Sequence, residues 1–383
     1  MKTLMAIAST MVVLSSAAQA DASLAATSQP SQHQQQVQSN EIANLKSTMA
    51  RQLATQLPTS GAKWQQAFSS YELKAGLQDL AASTALLPSV QQANQRTREL
   101  KGLNSVGADL YQLRLVNAEM LSAWQQGQQP LVAFAPQGDE KHWQYVEAFD
   151  SFGNVHLLDV HNVPTQPVLV LEIDAKQSLK EGLAVMQQAF TAARQGQAEF
   201  AQPLQTLNDT PISTSVLDRI RLNNDQEPWV LGNAEIYAIV NGVNPSRDEP
   251  VLDIVDMPYL DDDGKDYMPN QILIYWDRYR WQAADVLLME HDDNTNYKTL
   301  ATTLLDIVAA AMRAIPDPTV QGYALIPQLT NQLIKAMPDH WFSNDDDYVD
   351  VFYTLFEGKS YVGRMGASSN AKISLSPLTI NPR

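Results

Sequence analysis

The sequence contains no cysteine. That absence excludes disulfide cross-links, thiolate metal sites, a thiol nucleophile and a lipid anchor attached at cysteine. The apolar core, or a bound ion, must hold the chain together. Histidine is scarce, with six in 383 residues, which leaves few imidazoles for metal or proton chemistry. Basic residues are outnumbered, 26 against 42 acidic ones, for a formal net charge of −16. An excess of that sign repels nucleic-acid backbones and anionic membranes, so no nucleic-acid partner is expected. Beyond the N-terminus no uncharged run reaches the ~20 residues that span a bilayer, so no transmembrane anchor is expected either.

Familiar catalytic signatures are missing as well. There is no His-Glu-x-x-His pair for a zinc protease and no Gly-x-Ser-x-Gly elbow. No Gly-x-Gly-x-x-Gly turn or phosphate-binding loop occurs.

Residues 1–20 have the layout of a signal peptide. Lys2 supplies the positive start, an apolar stretch runs from Leu4 to Leu14, and Ala18-Gln19-Ala20 gives the small-x-small cleavage pattern. This predicts an exported protein, periplasmic or secreted. Residues 21–38, rich in Ser, Gln and Ala, predict a flexible leader. The apolar fraction of 44% predicts a packed globular body after it.

The patterning predicts an α+β fold. Over 39–212 a mixed α+β domain is expected. Its helices are placed near 41–56 (stopped at Leu57-Pro58), 63–84, 88–101, 105–126 and 178–194. Strands are placed at 131–134, 143–149, 155–160 and 167–173, the middle pair forming a hairpin across Ser151-Phe152-Gly153-Asn154. Over 213–383 seven short strands separated by Asp-, Asn-, Gly- and Pro-rich loops predict an antiparallel β-sandwich. They are Val216–Leu222, Gly232–Val243, Pro250–Val255, Gln271–Tyr275, Ala284–Met289, Asp350–Phe356 and Ala371–Ser376. A helical hairpin over 299–337 is expected as an insertion.

Four acidic loops lie in this second half: Asn223-Asn224-Asp225-Gln226-Glu227, Asp261-Asp262-Asp263-Gly264-Lys265-Asp266, Glu290-His291-Asp292-Asp293-Asn294-Thr295-Asn296 and Asn344-Asp345-Asp346-Asp347. Adjacent carboxylates repel unless a cation or solvent screens them. Calcium, which takes six to eight oxygen ligands, suits such loops when several converge. The second loop fails as an EF-hand: with Asp261, Asp263 and Gly264 in register, Tyr259 falls at the first ligand position and Asn270 at the last.

The stretch from Asp225 through Gly232-Asn233-Ala234-Glu235-Ile236-Tyr237 resembles the first calcium loop and following strand of a C2 domain. Met268-Pro269-Asn270-Gln271 is similar to the turn before a central C2 strand, and Val286 to Asp292 to the third loop. The resemblance implies calcium as the cofactor, with Asp225, Glu235, Glu290 and Asp292 as ligands and Asp293 or Asn296 in support. Glu stands where C2 domains carry Asp at 235 and 290. Through Gly232–Val243, Asp256-Met257-Pro258-Tyr259-Leu260, Glu290–Tyr297 and Trp341–Tyr353 the whole chain also resembles a family of exported Gram-negative bacterial proteins of unknown function.

Two other readings stay open. In one the protein is a secreted hydrolase of protein or polysaccharide, with residues 130–200 contributing to the site. Paired carboxylates at the right separation hydrolyse glycosidic bonds, and Trp276, Tyr279, Trp281 and Trp341 are candidates for a sugar-stacking platform. In the other the acidic loops are solvated turns. His156 and His161 flank a hairpin strand, and His291 lies between two acids as a candidate base.

Overall fold

The computed structural model describes residues 32–138, 142–196, 210–223, 228–232, 235–246, 248–291, 293–314, 321–336 and 348–381. The expected signal peptide and residues 21–31 of the leader lie outside them. Helix α1, Gln32–Trp64, begins inside the stretch expected to be an irregular leader. It presents Ile42, Met49, Leu53, Leu57 and Trp64, all buried, at helical spacing. It also runs through Pro58, where a stop was expected. Burial of Leu57 and Trp64 on either side outweighs the ~3 kcal/mol that an interior proline costs.

The first half folds around a six-stranded sheet in the order β1-β2-β6-β3-β4-β5. Its strands are β1 (Lys74–Gly76), β2 (Tyr111–Leu115), β3 (Leu131–Ala133), β4 (Tyr145–Phe149), β5 (Val155–Asp159) and β6 (Val168–Ile173). Only β3 and β6 run parallel. Helices α2 (Leu77–Ala81), α3 (Leu87–Leu100), α4 (Ala118–Gln125) and α5 (Ala175–Gly196) complete this half. The helix expected over 105–126 is corrected: β2 and α4 divide it. Tyr111, Leu113 and Leu115 alternate with Gln112 and Arg114 at the period of a strand, and all five are buried between two neighbouring strands. Asn117 then starts α4 by accepting the Met120 amide at 3.0 Å. The helix expected over 63–84 likewise gives way to a 3-10 turn, β1 and α2.

The second half is two four-stranded antiparallel sheets, β10-β7-β14-β13 and β12-β11-β8-β9. Their strands are β7 (Ile212–Leu222), β8 (Ile236–Val243), β9 (Pro250–Asp256), β10 (Gln271–Tyr275), β11 (Ala283–Glu290), β12 (Tyr348–Phe356), β13 (Tyr361–Met365) and β14 (Ala371–Ile380). The expected helical insertion is α6 (Tyr297–Ala314) with α7 (Leu325–Ala336). One core, built from Leu217, Ile220, Ile373, Val240, Val286 and Leu288, fills the space between the sheets.

The other face of β8 and β11 carries Tyr237, Ile239, Leu287 and Met289, which join the main core with Leu183 and Met186 of α5 and Leu304 of α6. That core continues into the six-stranded sheet. Residues 39–212 and 213–383 therefore share a core across the expected boundary. At Gly182 α5 leaves no room for a side chain against α6: a Cβ there would lie 2.2 Å from the Tyr297 ring.

Candidate functional site

Protein cations pair with carboxylates of the second and third acidic loops. In the second loop Lys176 of α5 meets Asp261 at 3.0 Å, Lys265 meets Asp262 at 2.9 Å, and Arg219 reaches Asp266 at 2.7 Å. The third loop is enclosed between the two halves of the chain. Lys46 of α1 pairs with the Asp293 carboxylate, and the buried Lys101 ammonium donates to the Asp293 carbonyl at 2.7 Å. Asn296 caps α6 by accepting the Thr299 amide at 2.9 Å, and its Nδ2 donates to Leu100 at 2.7 Å. His291 Nδ1 meets the Tyr297 hydroxyl at 2.8 Å. Burial, aided by nearby Lys101, pushes the His291 pKa down to about 3, so it is neutral at physiological pH.

The six residues expected around calcium fare unequally. Asp225 and Asp292 lie outside the described residues, as do the rest of the first loop after Asn223 and the whole fourth loop. Asp293 and Asn296 are engaged as above. Glu290 pairs in register with Ile236, which faces the sandwich interior. Glu235 is one position earlier on β8's path and faces α5 instead. Glu235 and Glu290 thus occupy opposite faces of one sheet. Among the described residues no group of three or more His, Asp or Glu is placed to hold a metal ion. Trp276 and Tyr279 are buried core residues, which removes them as an exposed platform; Trp281 is half-buried, and Trp341 lies outside the described residues.

Glu235 opens instead onto a cavity of about 350 Å³ between the first turns of α5 and the ends of β8 and β9. Its walls include Asp174, Lys176, Lys180, Glu235, Asp256 and Leu260. Asp174 belongs to the fold: its carboxylate accepts the Gln177 amide at 3.0 Å and starts α5. The half-buried Glu235 side chain makes no hydrogen bond with a described residue. Burial raises its pKa to about 8, against Lys74 and Lys176, which lower it, and with Glu172 and Asp293, which raise it. The His291 amide fixes its backbone by donating to the Glu235 carbonyl at 2.9 Å.

Asp256 ends β9 opposite Tyr237. It is therefore a diagonal neighbour of Glu235 on the same face, a relation that separates backbones by ~7–8 Å. Burial raises the Asp256 pKa too, opposed by the Met257 amide and by Lys180. Behind Glu235, Arg114 holds Glu172 at 2.7 Å and donates to the Val230 carbonyl at 2.9 Å, tying the two halves together.

Sequence reasoning singled out Glu235 but missed Asp256, Lys176 and Lys180. One signal was available: Asp256 closes an apolar strand immediately before Met257-Pro258. Pairing it with Glu235 needed the β8–β9 register, and placing α5 against both needed the shared core.

No helix among the described residues is long and apolar enough to cross a membrane. No curated protein and no solved structure matches the chain. One family, described as a protein of unknown function (DUF3103), matches residues 46–383, which takes in both halves and every wall of the cavity, and the chain belongs to it.

Proposed function

We propose that the protein is an exported hydrolase that cleaves glycosidic bonds in the cavity between α5 and the β8–β9 pair. The observation that carries this reading is the Glu235 carboxyl, which has no hydrogen-bond partner among the described residues, lines a cavity and is diagonal to a second carboxyl, Asp256. Export rests on the signal-like residues 1–20.

Two carboxyls can hydrolyse a polymer in different ways. Peptide cleavage by an aspartic dyad needs them in contact and sharing one proton. Glycoside cleavage with inversion needs them ~6.5–9.5 Å apart, so that a water fits between base and sugar. A diagonal backbone spacing of ~7–8 Å leaves room for the second and does not force the contact that the first needs. Glu235, with a pKa of about 8, holds its proton at neutral pH. It donates that proton to the departing glycosidic oxygen as the anomeric carbon–oxygen bond breaks. Asp256 takes a proton from the water that attacks the opposite face of the ring, and the product carries the inverted configuration.

The test is release of reducing ends from a panel of polysaccharides and 4-nitrophenyl glycosides, with the product anomer read by NMR. We expect an inverted product, a rate that falls as pH rises through about 8, and losses of about 100-fold or more in Glu235→Gln and Asp256→Asn. Full activity in Glu235→Gln, or cleavage of protein substrates with no reducing ends from any sugar, would overturn the proposal.

A further inference from the structure

The six-stranded sheet ends at β5, and that edge is unlike the others among the described residues. β1, at the opposite edge, is three residues long. In the second half the edge strands β10, β12 and β13 pair with a shift of register, and β9 lies against α5. Short length, irregularity and cover each keep an edge from pairing with another chain. β5 has none of them: it pairs regularly with β4 over all five residues, and only Leu158 is half-buried.

The β4–β5 hydrogen bonds fix which backbone groups face outward. The Asp150 amide donates to Asn154, and the Val160 amide donates to Gln144. In the alternation of an antiparallel ladder, His156 and Leu158 therefore bond to β4, while Val155, Leu157 and Asp159 point away from it. Trp229 Nε1 donates to the Asp159 carbonyl at 3.0 Å. The backbone N–H and C=O groups of Val155 and Leu157 make no hydrogen bond with a described residue. Their side chains share a face with Phe149, which Arg51 of α1 covers, yet they are 49% and 61% exposed. Tyr145 on β4 and Phe152 in the turn are exposed as well.

We infer that β5 pairs with β5 of a second copy of this chain, antiparallel about a twofold axis at His156, so that two six-stranded sheets join. That register places Val155 of each copy opposite Leu157 of the other. Four hydrogen bonds then use every free backbone group of these residues, and each pair sets one apolar side chain against another. Trp229 separates this occupant from a foreign strand. A strand running on past Asp159 would meet the indole, whereas the second copy turns back into its own β4 at Asn154, opposite Leu158. Tyr145 and Phe152, at ~150–250 Å² each when buried, with Val155, Leu157 and the strand itself, supply much of the ~800 Å² per partner that a stable interface buries. The charge of −16 on each copy opposes association, and salt screens that repulsion.

Sedimentation equilibrium of the intact protein at physiological ionic strength should show a monomer–dimer equilibrium. Leu157→Lys should weaken it by about tenfold or more, because each dimer loses two apolar pairs. The added lysines lower the net repulsion between copies, so charge excess does not account for that loss. Leu157 is exposed, and the thermal midpoint of the variant should match that of the native protein. Cross-linking gives a second readout, since the chain has no cysteine of its own. Residues opposite each other in a non-hydrogen-bonded pair stand ~4.5 Å apart at Cα, within reach of a disulfide. His156→Cys should therefore give a disulfide-linked dimer under mild oxidation, at least tenfold faster than Tyr71→Cys, a control on another exposed side chain. A monomer at every concentration overturns the inference and leaves the edge to a strand of another protein. A dimer that Leu157→Lys leaves intact, or a His156→Cys protein that cross-links no faster than the control, overturns it too.

Discussion

Lys46 of α1 and Asp293 of the β11–α6 loop form an ion pair across the seam between the two halves of the chain. The lysine side chain is 6% exposed and the carboxylate 27%. Burial pushes the Asp293 pKa up, but Lys46 and Lys101 pull it further the other way, and the net shift is downward. Asp293 thus contributes stability that is present above the unfolded carboxylate value of ~3.9 and is lost as pH falls through its lower folded value.

Lys46→Met should therefore destabilise the protein by about 3 kcal/mol at pH 7, because it strands a largely enclosed carboxylate. Asp293→Asn should cost a comparable amount, since it leaves the Lys46 ammonium, the more buried of the two charges, without its carboxylate. Urea unfolding of both single variants and of the double variant measures the coupling. A loss below about 0.5 kcal/mol in Lys46→Met would mean that solvent reaches the pair freely.

The same accounting bears on calcium. Crowded carboxylates suggest a cation, yet Lys176, Lys265 and Arg219 pair with Asp261, Asp262 and Asp266 of the second loop, and Lys46 with Asp293. Thermal unfolding after chelation, then with millimolar calcium, should show midpoints within about 1 °C of each other. A ligand at 100 times its Kd would instead add ~2.7 kcal/mol and move the midpoint by several degrees. A shift of that size would return calcium to the account.

Local chemistry made much of the second half legible. The Asp-rich stretch ending in Met268-Pro269-Asn270 marks the start of Gln271–Tyr275, and β10 has the expected limits. The long apolar faces of α6 and α7 likewise announced a helical pair within the strands. Elsewhere the signal was ambiguous or non-local. Leu110, Leu113 and Leu115 fit one helix face, but Leu113 and Leu115 alternate with Gln112 and Arg114 along a strand. Tyr361–Met365 was not expected as a strand, because its exposed valine and central glycine hide the pattern. Crowding of carboxylates is visible in a sequence. The lysines and arginines that answer it are not, since Lys46 is 247 residues from Asp293.

Asp285 lies fully buried on β11, accepting from the Thr354 amide and from the Thr330 hydroxyl, each at 2.7 Å. Burial raises its pKa to about 6, opposed by those hydrogen bonds. For a carboxyl whose folded pKa is raised, the stabilising neutral form is fully present below the unfolded value of ~3.9 and is lost as pH rises through about 6. The penalty at pH 8 is about 3 kcal/mol. Unfolding free energies at pH 5 and pH 8 should therefore show Asp285→Asn gaining on the native protein at the higher pH. A variant less stable than the native protein at pH 8 would refute this.

The same substitution at Asp350 should do the opposite. Asp350 is fully buried, and its two oxygens accept four backbone amides: Val351 and Ser368 at 2.8 Å on one, Asn370 at 2.9 Å and Ala371 at 2.8 Å on the other. Each partner is a fixed donor. An asparagine must turn its own N–H group toward one of these pairs, losing two hydrogen bonds and setting donor against donor. Asp285 avoids this problem because the Thr330 hydroxyl can rotate, accept from the new amide and donate to the Ile326 carbonyl, already 3.2 Å away. Nor can the side chain at 350 shift away, since the space where a Cβ of Gly366 would stand is within 2.2 Å of its carboxylate. With two buried amides left unsatisfied at about 1–3 kcal/mol each, Asp350→Asn should cost about 4 kcal/mol. Urea unfolding at pH 7 reads that cost directly. A loss of under about 1 kcal/mol would mean that water replaces the carboxylate in the β13–β14 turn.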